Sequence, residues 1–184
     1  MEKIEIKGNQ IYLRKMEVED TEDIVRWRNS DEVRSRFIYQ EPFTRENHLS
    51  WIENKVNKGL VVQMMICETV TDRAIGSAYF RDIDSVNHKA EYGLFIGESD
   101  SRIKGLGALV SERMLQYGFE ELKLHRIHAR IIADNIVSIK SALKAGLEIE
   151  GTLREDVLLN GKYMDIILLG VLRDSFLGKL YHIA

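Results

Sequence analysis

With 184 residues, a net charge of −3 and a single cysteine, the chain has the length of one domain, residues 1–184, able to bury its own core. The charge gives no support for a nucleic-acid-binding surface, and one cysteine excludes an internal disulfide framework. No apolar run approaches the roughly 18 residues of a membrane span, and the N terminus lacks the apolar core of a signal peptide. We therefore expect a soluble, cytoplasmic protein without a nucleic-acid or membrane partner.

The first third of the chain predicts one strand followed by helices. Residues 4–16 alternate between apolar and polar side chains, which is typical of a strand. Asp20 is expected to cap a first helix, and a second short helix is expected to end at Phe37. Thr44 begins a third helix with an apolar stripe, which Gly59 ends.

The middle of the chain changes to strands. Residues 60–68 and 73–81 are β-rich and are joined by the turn 69–72, which predicts a hairpin. Residues 89–97 form the next predicted strand. An amphipathic helix then begins at Leu106.

The last third repeats the alternation of strand and helix. Residues 124–133 read as a strand, and Asn135 follows as the cap of a helix that Gly146 closes. Residues 147–159 and 162–171 flank an Asn-Gly pair, the strongest short hairpin signal in the chain. Residues 172–180 predict a final short helix.

This order of elements predicts an α+β fold with one mixed, mostly antiparallel sheet flanked by helices. The sheet should be parallel only where the helix after Leu106 crosses from the strand at 89–97 to the strand at 124–133. In the count of predicted strands these are the fourth and the fifth.

The loop between the fourth strand and its helix has the character of an anion site. It runs Arg-Ile-Lys-Gly-Leu-Gly-Ala at residues 102–108 and opens directly into the helix. Backbone N–H groups are free at a helix start, the helix dipole adds positive potential, and glycine permits a close approach. The P-loop and dinucleotide patterns do not match, because no Gly-Lys-Ser/Thr and no third glycine is present.

The motif Arg-x-x-Gly-x-Gly resembles the signature loop of the GCN5-related N-acetyltransferases (GNAT). Residues 135–139 and 145–147, Asn-Ile-Val-Ser-Ile and Ala-Gly-Leu, resemble a second segment of that family. Residues 27–29 and 160–165 resemble the branch with ribosomal-protein, spermidine and amino-sugar acetyltransferases. The resemblance covers nearly the whole chain.

The resemblance implies acetyl-coenzyme A (acetyl-CoA) as co-substrate. It also implies a sheet splayed between the fourth and fifth strands, with the pantetheine arm in the gap and a backbone N–H near residues 93–95 polarising the thioester. No metal is expected, since His125 and His128 would face opposite sides of a strand. The implied cofactor-binding residues are Phe95, Ile96, Arg102, Ile103, Lys104, Gly105, Leu106, Gly107, Ala108, Asn135 and Ser138.

The chemistry requires a base for the amine and an acid for the departing thiolate. Glu91 and Asp165 are the predicted carboxylates for the first role. Ala142 stands where many members of the family carry a tyrosine acid, so either Ser138 takes that role or the thiolate leaves unassisted.

The acceptor is predicted to be a primary amine, and the residues expected to bind it are Trp27, Arg28, Asn29, Glu91 and Tyr163. A small molecule, polyamine or amino sugar, ranks above a protein N terminus, and a non-catalytic acyl-CoA sensor is the rival from another class. A homodimer is a possible assembly. Carboxylates at 91, 155, 156 and 165 suit a polyamine, whereas arginines at 26, 28, 34 and 36 suit an acidic group.

Overall fold

An eight-stranded sheet organises the structure, a computed structural model that describes residues 3–6 and 10–182. The strand order is β1-β2-β3-β4-β5-β6-β8-β7, and only β5 and β6 are parallel. The strands are β1 (Ile4–Glu5), β2 (Ile11–Lys15), β3 (Val62–Glu68), β4 (Ala74–Asp84), β5 (Lys89–Ile96), β6 (Arg126–Ile132), β7 (Glu148–Leu159) and β8 (Lys162–Leu172).

Helices cover both faces of the sheet. They are α1 (Thr21–Asn29), α2 (Asp31–Arg34), α3 (Arg45–Trp51), α4 (Leu106–Glu120), α5 (Ile136–Lys144) and α6 (Arg173–His182). Apolar side chains of α1 and α2 pack on one face, which we call the α1 face, and those of α4, α5 and α6 pack on the other. The predicted α+β class and the order of elements are confirmed. None of the helices in the described part of the chain is long and apolar enough to cross a bilayer.

One local prediction is wrong. The strand expected at 4–16 is two antiparallel strands, with Ile4 opposite Leu13, so the alternation continued across a reversal of the chain. The third helix follows its Thr44 cap and ends before Gly59 at φ +70°, as predicted, but it is α-helical only to Trp51 and π-helical over Ile52–Val56. Because of the added strand, the predicted fourth and fifth strands are β5 and β6.

The parallel pair β5–β6 separates soon after it begins. Its register is confined to Lys89–Arg126, Ala90–Ile127 and Glu91–His128, which confirms the predicted splay. Gly97 donates its N–H to Ile75 of the β4 side. Because the hydrogen-bonding direction alternates along a strand, the N–H of Leu94 points to the opposite edge, into the gap.

The hairpin β7–β8 carries the predicted Asn160–Gly161 turn, with φ +50° and +77° as a type I′ turn requires. Its register shifts between Leu153 and Val157, where Glu155 adopts φ +53°. The carboxylate of Asp165 accepts a hydrogen bond from the N–H of Glu155 at 2.8 Å. Asp165 therefore stabilises a β-bulge.

Candidate active site

The loop from residue 102 to 108 joins the end of β5 to α4 through a left-handed residue. Gly105 has φ +91°, a conformation that glycine adopts without strain, and α4 begins at the next residue. Among the described residues, no carbonyl accepts from the N–H groups of Lys104, Gly105 and Gly107. Three free amides at a helix start form a site for an anion.

The two cationic side chains of this loop, Arg102 and Lys104, differ in how freely they could bind an anion. Arg102 donates to the carbonyl of Ile96 at 3.3 Å and lies 2.9 Å from the carboxylate of Glu32, so part of its charge is used within the protein. Lys104 is exposed and makes no ion pair within the described ranges. The backbone and Lys104 are therefore the parts of the loop best placed to meet a phosphate.

The middle of α5 lies against the first turn of α4, directly after this loop. A Cβ on Gly107 would be 3.2 Å from the hydroxyl of Ser141, so the two helices nearly touch there. Asn135 caps α5 as predicted, since its side-chain oxygen accepts from the N–H of Ser138 at 3.3 Å. Ser138 is half-buried, and it shares a helix face with Ala142, which is 5% exposed.

Glu91 lies at the closed end of the gap, in the last residue pair that joins β5 to β6. It is 7% exposed, and its carboxylate accepts from Arg81 at 2.5 Å and from Arg130 at 3.2 Å. A carboxylate has about four lone-pair sites, so two donors leave room for a water or an amine. Two residues further along β5, Gly93 makes room for the ring of Tyr79, whose Cζ would lie 2.5 Å from a Cβ there.

The corner at residues 27–29 is built mainly of structural contacts. Trp27 is 1% exposed and donates its indole N–H to Glu98 at 2.8 Å. Asn29 exchanges hydrogen bonds with the backbone of Phe43, at 2.7 and 2.9 Å. In this structure both side chains hold the fold together, and direct contact with an acceptor stays a prediction.

Arg28 differs from its neighbours. Its guanidinium lies 3.6 Å from the ring centroid of Phe37, and burial lowers its pKa. It donates to the carbonyl of Tyr39 at 3.3 Å and has no carboxylate partner among the described residues. By contrast, Arg26, Arg34 and Arg36 each lie within 4.0 Å of a carboxylate.

The predicted carboxylates do not meet. The backbone carbonyl of Asp165 accepts from the N–H of Ala133, five residues beyond His128 on β6. Five residues of a strand span about 17 Å, so Asp165 lies at the open end of the gap and Glu91 at its closed end. Tyr163 is 61% exposed on β8 and also lies toward the hairpin tip.

The structure adds two arginines that sequence reasoning missed. Arg81 and Arg130 come to Glu91 from β4 and β6. His128, considered in the sequence only as a metal ligand, is the neighbour of Glu91 across the parallel pair. A charged residue within an otherwise apolar strand was the signal that could have found them. No group of three potential metal ligands occurs within the described ranges.

The comparisons agree with this geometry. Residues 10–148 match the family described as the acetyltransferase (GNAT) domain. An uncharacterized N-acetyltransferase p20 of Bacillus licheniformis is 28% identical over 92% of this chain and 96% of its own length. A spermidine N(1)-acetyltransferase of Vibrio cholerae is 25% identical over 94% and 98%. A crystal structure of spermidine N-acetyltransferase from Vibrio cholerae with CoA and spermine superposes with a TM-score of 0.84, at 22% identity over 91% and 98%.

A sheet splayed beside a glycine loop that opens a helix is the arrangement that the resemblance to acetyl-CoA-dependent transferases implied. The chain belongs to the GNAT acetyltransferase family. The predicted enzyme class, an acyltransferase, and the predicted co-substrate of that class, acetyl-CoA, are confirmed. The residue roles stay predictions.

Proposed function

We propose that the protein transfers the acetyl group of acetyl-CoA to a primary amine of a small molecule. The observation that carries this proposal is that two features flank β5: the free amides of residues 104, 105 and 107 follow it, and the gap beside it begins at Glu91. A phosphate site at one end and a buried carboxylate at the other match a long donor with its reactive group inside the protein.

The donor would be held mainly by backbone groups. The amides of Lys104, Gly105 and Gly107 suit the pyrophosphate, with Lys104 adding charge. The Leu94 N–H, on the open edge of β5, suits the thioester carbonyl, where a donor stabilises developing negative charge. Phe95 and Ile96, on the same strand, would line the path of the pantetheine arm, with Asn135 and Ser138 at the facing start of α5.

Glu91 is proposed to take the proton of the attacking amine through a bound water. As the C–N bond forms and the C–S bond breaks, the proton leaves the amine for the carboxylate side and the thiolate departs. Ser138 is proposed to donate a hydrogen bond to that thiolate, since its hydroxyl makes no hydrogen bond to another described residue. Asp165 is the second candidate for the base.

A small-molecule acceptor is favoured over a protein N terminus by the burial of Glu91. Glu91 is 7% exposed and its carboxylate is bound by Arg81 and Arg130, which leaves room beside it for a small acceptor rather than a bulky one. The relatives named as spermidine acetyltransferases act on a small amine by their names, which supports the same class here. Cytoplasmic location and a homodimer remain predictions.

The test is release of CoA from acetyl-CoA with a panel of amines. Spermidine, an amino-sugar nucleotide and an alanine-starting peptide cover the three acceptor classes, and a reaction without amine measures hydrolysis. We expect amine-dependent release with a small-molecule acceptor. Preference for the peptide would identify a protein N-terminal acetyltransferase, and CoA binding without release would identify a sensor.

A further inference from the structure

Three arginines from separate elements converge on the α1 face beside Glu91. They are Arg28 of α1, Arg81 of β4 and Arg130 of β6, and we call them the arginine cluster. Arg81 and Arg130 both bind Glu91. Arg28 and Arg81 meet at Tyr39, since Arg28 donates to its carbonyl at 3.3 Å and the guanidinium of Arg81 lies 5.4 Å from its ring centroid. Burial lowers the pKa of Arg28, and the charge of Arg81 lowers it further.

Positive charge exceeds negative charge in this cluster. Glu91 is the one carboxylate that accepts a hydrogen bond from it within the described residues. Asp82 lies 3.9 Å from Arg81, but its side chain is 76% exposed, so solvent screens it. Three guanidinium groups and one buried carboxylate leave a net positive site.

Buried nitrogen atoms without hydrogen-bond partners lie in the cluster and beside it. Four buried side-chain nitrogen atoms in the described part of the chain have none: two belong to the cluster, Nε of Arg28 and Nε of Arg81, and a third is Nδ1 of His128, the residue paired with Glu91. Buried polar groups are nearly always paired, so unpaired ones in one place call for a ligand or water. Guanidinium donors match the oxygens of a carboxylate or a phosphate.

The cluster is reachable from solvent. The side chains of Arg81 and Arg130 are 23% and 28% exposed, although Glu91 between them is nearly covered. Tyr39, in the segment after α2, is 58% exposed and lies with its ring centroid 5.4 Å from the guanidinium of Arg81. An entering molecule therefore meets the arginines at the same point at which it reaches the closed end of the gap.

We propose that the acceptor amine carries an oxyanion group, a carboxylate or a phosphate, which the arginine cluster binds. The inference rests on the proposed acetyl transfer and names the class of its acceptor. It disfavours a polyamine, because two more ammonium groups would meet three guanidinium groups. The nearest carboxylate to attract them is already shared by Arg81 and Arg130.

Matched pairs of amines test the proposal, since each pair differs by one anionic group. Tyramine and tyrosine test a carboxylate, and glucosamine and glucosamine 6-phosphate test a phosphate. We expect kcat/KM to be higher for the anionic member of at least one pair by about tenfold or more. A smaller preference in both pairs, or faster turnover of spermidine than of either anionic amine, would overturn the proposal.

Variants locate the preference. Arg130→Gln should reduce the ratio of kcat/KM between the anionic and uncharged members, and Arg130→Lys should restore part of it. The ratio cancels any loss of chemistry caused by disturbing Glu91. Arg45→Gln, a change on α3 that removes an exposed ion pair with Glu22 of α1, should leave the ratio unchanged. An unchanged ratio in Arg130→Gln would contradict the assignment.

Failure of the inference is distinguishable from failure of the proposed function. If amines are acetylated without preference for an anion, the inference alone is wrong. If no amine is acetylated, the proposed function is wrong, and calorimetric binding of the two matched pairs, tyramine with tyrosine and glucosamine with glucosamine 6-phosphate, then decides the inference separately. Equal affinity within both pairs would overturn it.

Discussion

The loop at residues 102–108 and the arginine cluster both present positive potential, and they are built in different ways. The loop uses consecutive residues, with free N–H groups at 104, 105 and 107 and a helix behind them. The cluster uses side chains from α1, β4 and β6, which lie far apart in the sequence. One is a property of the local backbone and the other a property of the assembled sheet.

The difference determines what each region can select. Backbone amides and a helix dipole attract any anion that fits close to the chain, which suits a donor common to a whole family. Converging side chains can change one at a time without altering the fold, which suits an acceptor that differs between relatives. We therefore expect the loop to recognise the donor and the α1 face to recognise the acceptor.

The largest expected effect is at Glu91, which is both the proposed base and the partner of two arginines of the cluster. Glu91→Gln should lower kcat by about 10³-fold if the carboxylate is the base, with binding of acetyl-CoA near its original value by calorimetry.

A purely positioning role for Glu91 predicts something else. Then KM for the acceptor rises, because Arg81 and Arg130 lose their common partner, and kcat stays near its original value. Ser138→Ala serves as the comparison, since it should lower kcat more mildly than Glu91→Gln and leave KM for the acceptor unchanged.

The packing of α1, the helix that carries Arg28, depends on pH through His48 of α3. His48 is 1% exposed, and its Nδ1 lies 3.1 Å from the hydroxyl of Thr21 on α1. Burial lowers the pKa of His48 to about 4. A folded-state pKa below the unfolded value means that stability is present above pH 6.5 and is lost as the pH falls toward 4. The loss attributable to His48 is about 3 kcal/mol.

Urea unfolding of the protein and of His48→Gln between about pH 7 and pH 4 checks this expectation. The variant keeps a polar side chain beside Thr21 but does not titrate, so the slope of its unfolding free energy with pH should be smaller. Equal slopes would show that His48 is not the group responsible. Burial also lowers the pKa of His128, which adds a contribution of the same sign to both proteins.

The loop provides the next test. Gly107→Asp would place a carboxylate at the helix start, among the free amides, and should weaken CoA binding on the order of 50-fold. Gly107→Ala is the matched control: it adds the same Cβ, 3.2 Å from the hydroxyl of Ser141, without charge. Arg102→Ala should cost only a few-fold, because Arg102 already pairs with Glu32. Similar losses in the aspartate and alanine variants would attribute the effect to crowding.

How far the sequence alone could lead follows from the same contrast. The loop, the Asn135 cap and the Asn160–Gly161 turn are each encoded in a few adjacent residues, and the structure has all three. The two strands merged into one at 4–16 were not separable, because alternation of side chains does not record a change of direction. The arginine cluster required the pairing of β4, β5 and β6, in particular Arg81 opposite Glu91.

The smallest expected effect is at Asp165, where two variants distinguish a structural role from a catalytic one at the open end of the gap. Its carboxylate accepts from the N–H of Glu155 in the β7 bulge at 2.8 Å. Asp165→Asn keeps an oxygen for that bond but cannot act as a base, whereas Asp165→Ala removes both. If Glu91 is the base, the asparagine variant should keep kcat within about twofold, and the alanine variant should lose about 1 kcal/mol of unfolding free energy.

Loss of turnover in Asp165→Asn, with the unfolding transition unchanged, would move the base from the closed end of the gap to the hairpin. The acceptor would then approach from the exposed side of β8, and the arginine cluster would lie too far from the reacting amine to select it.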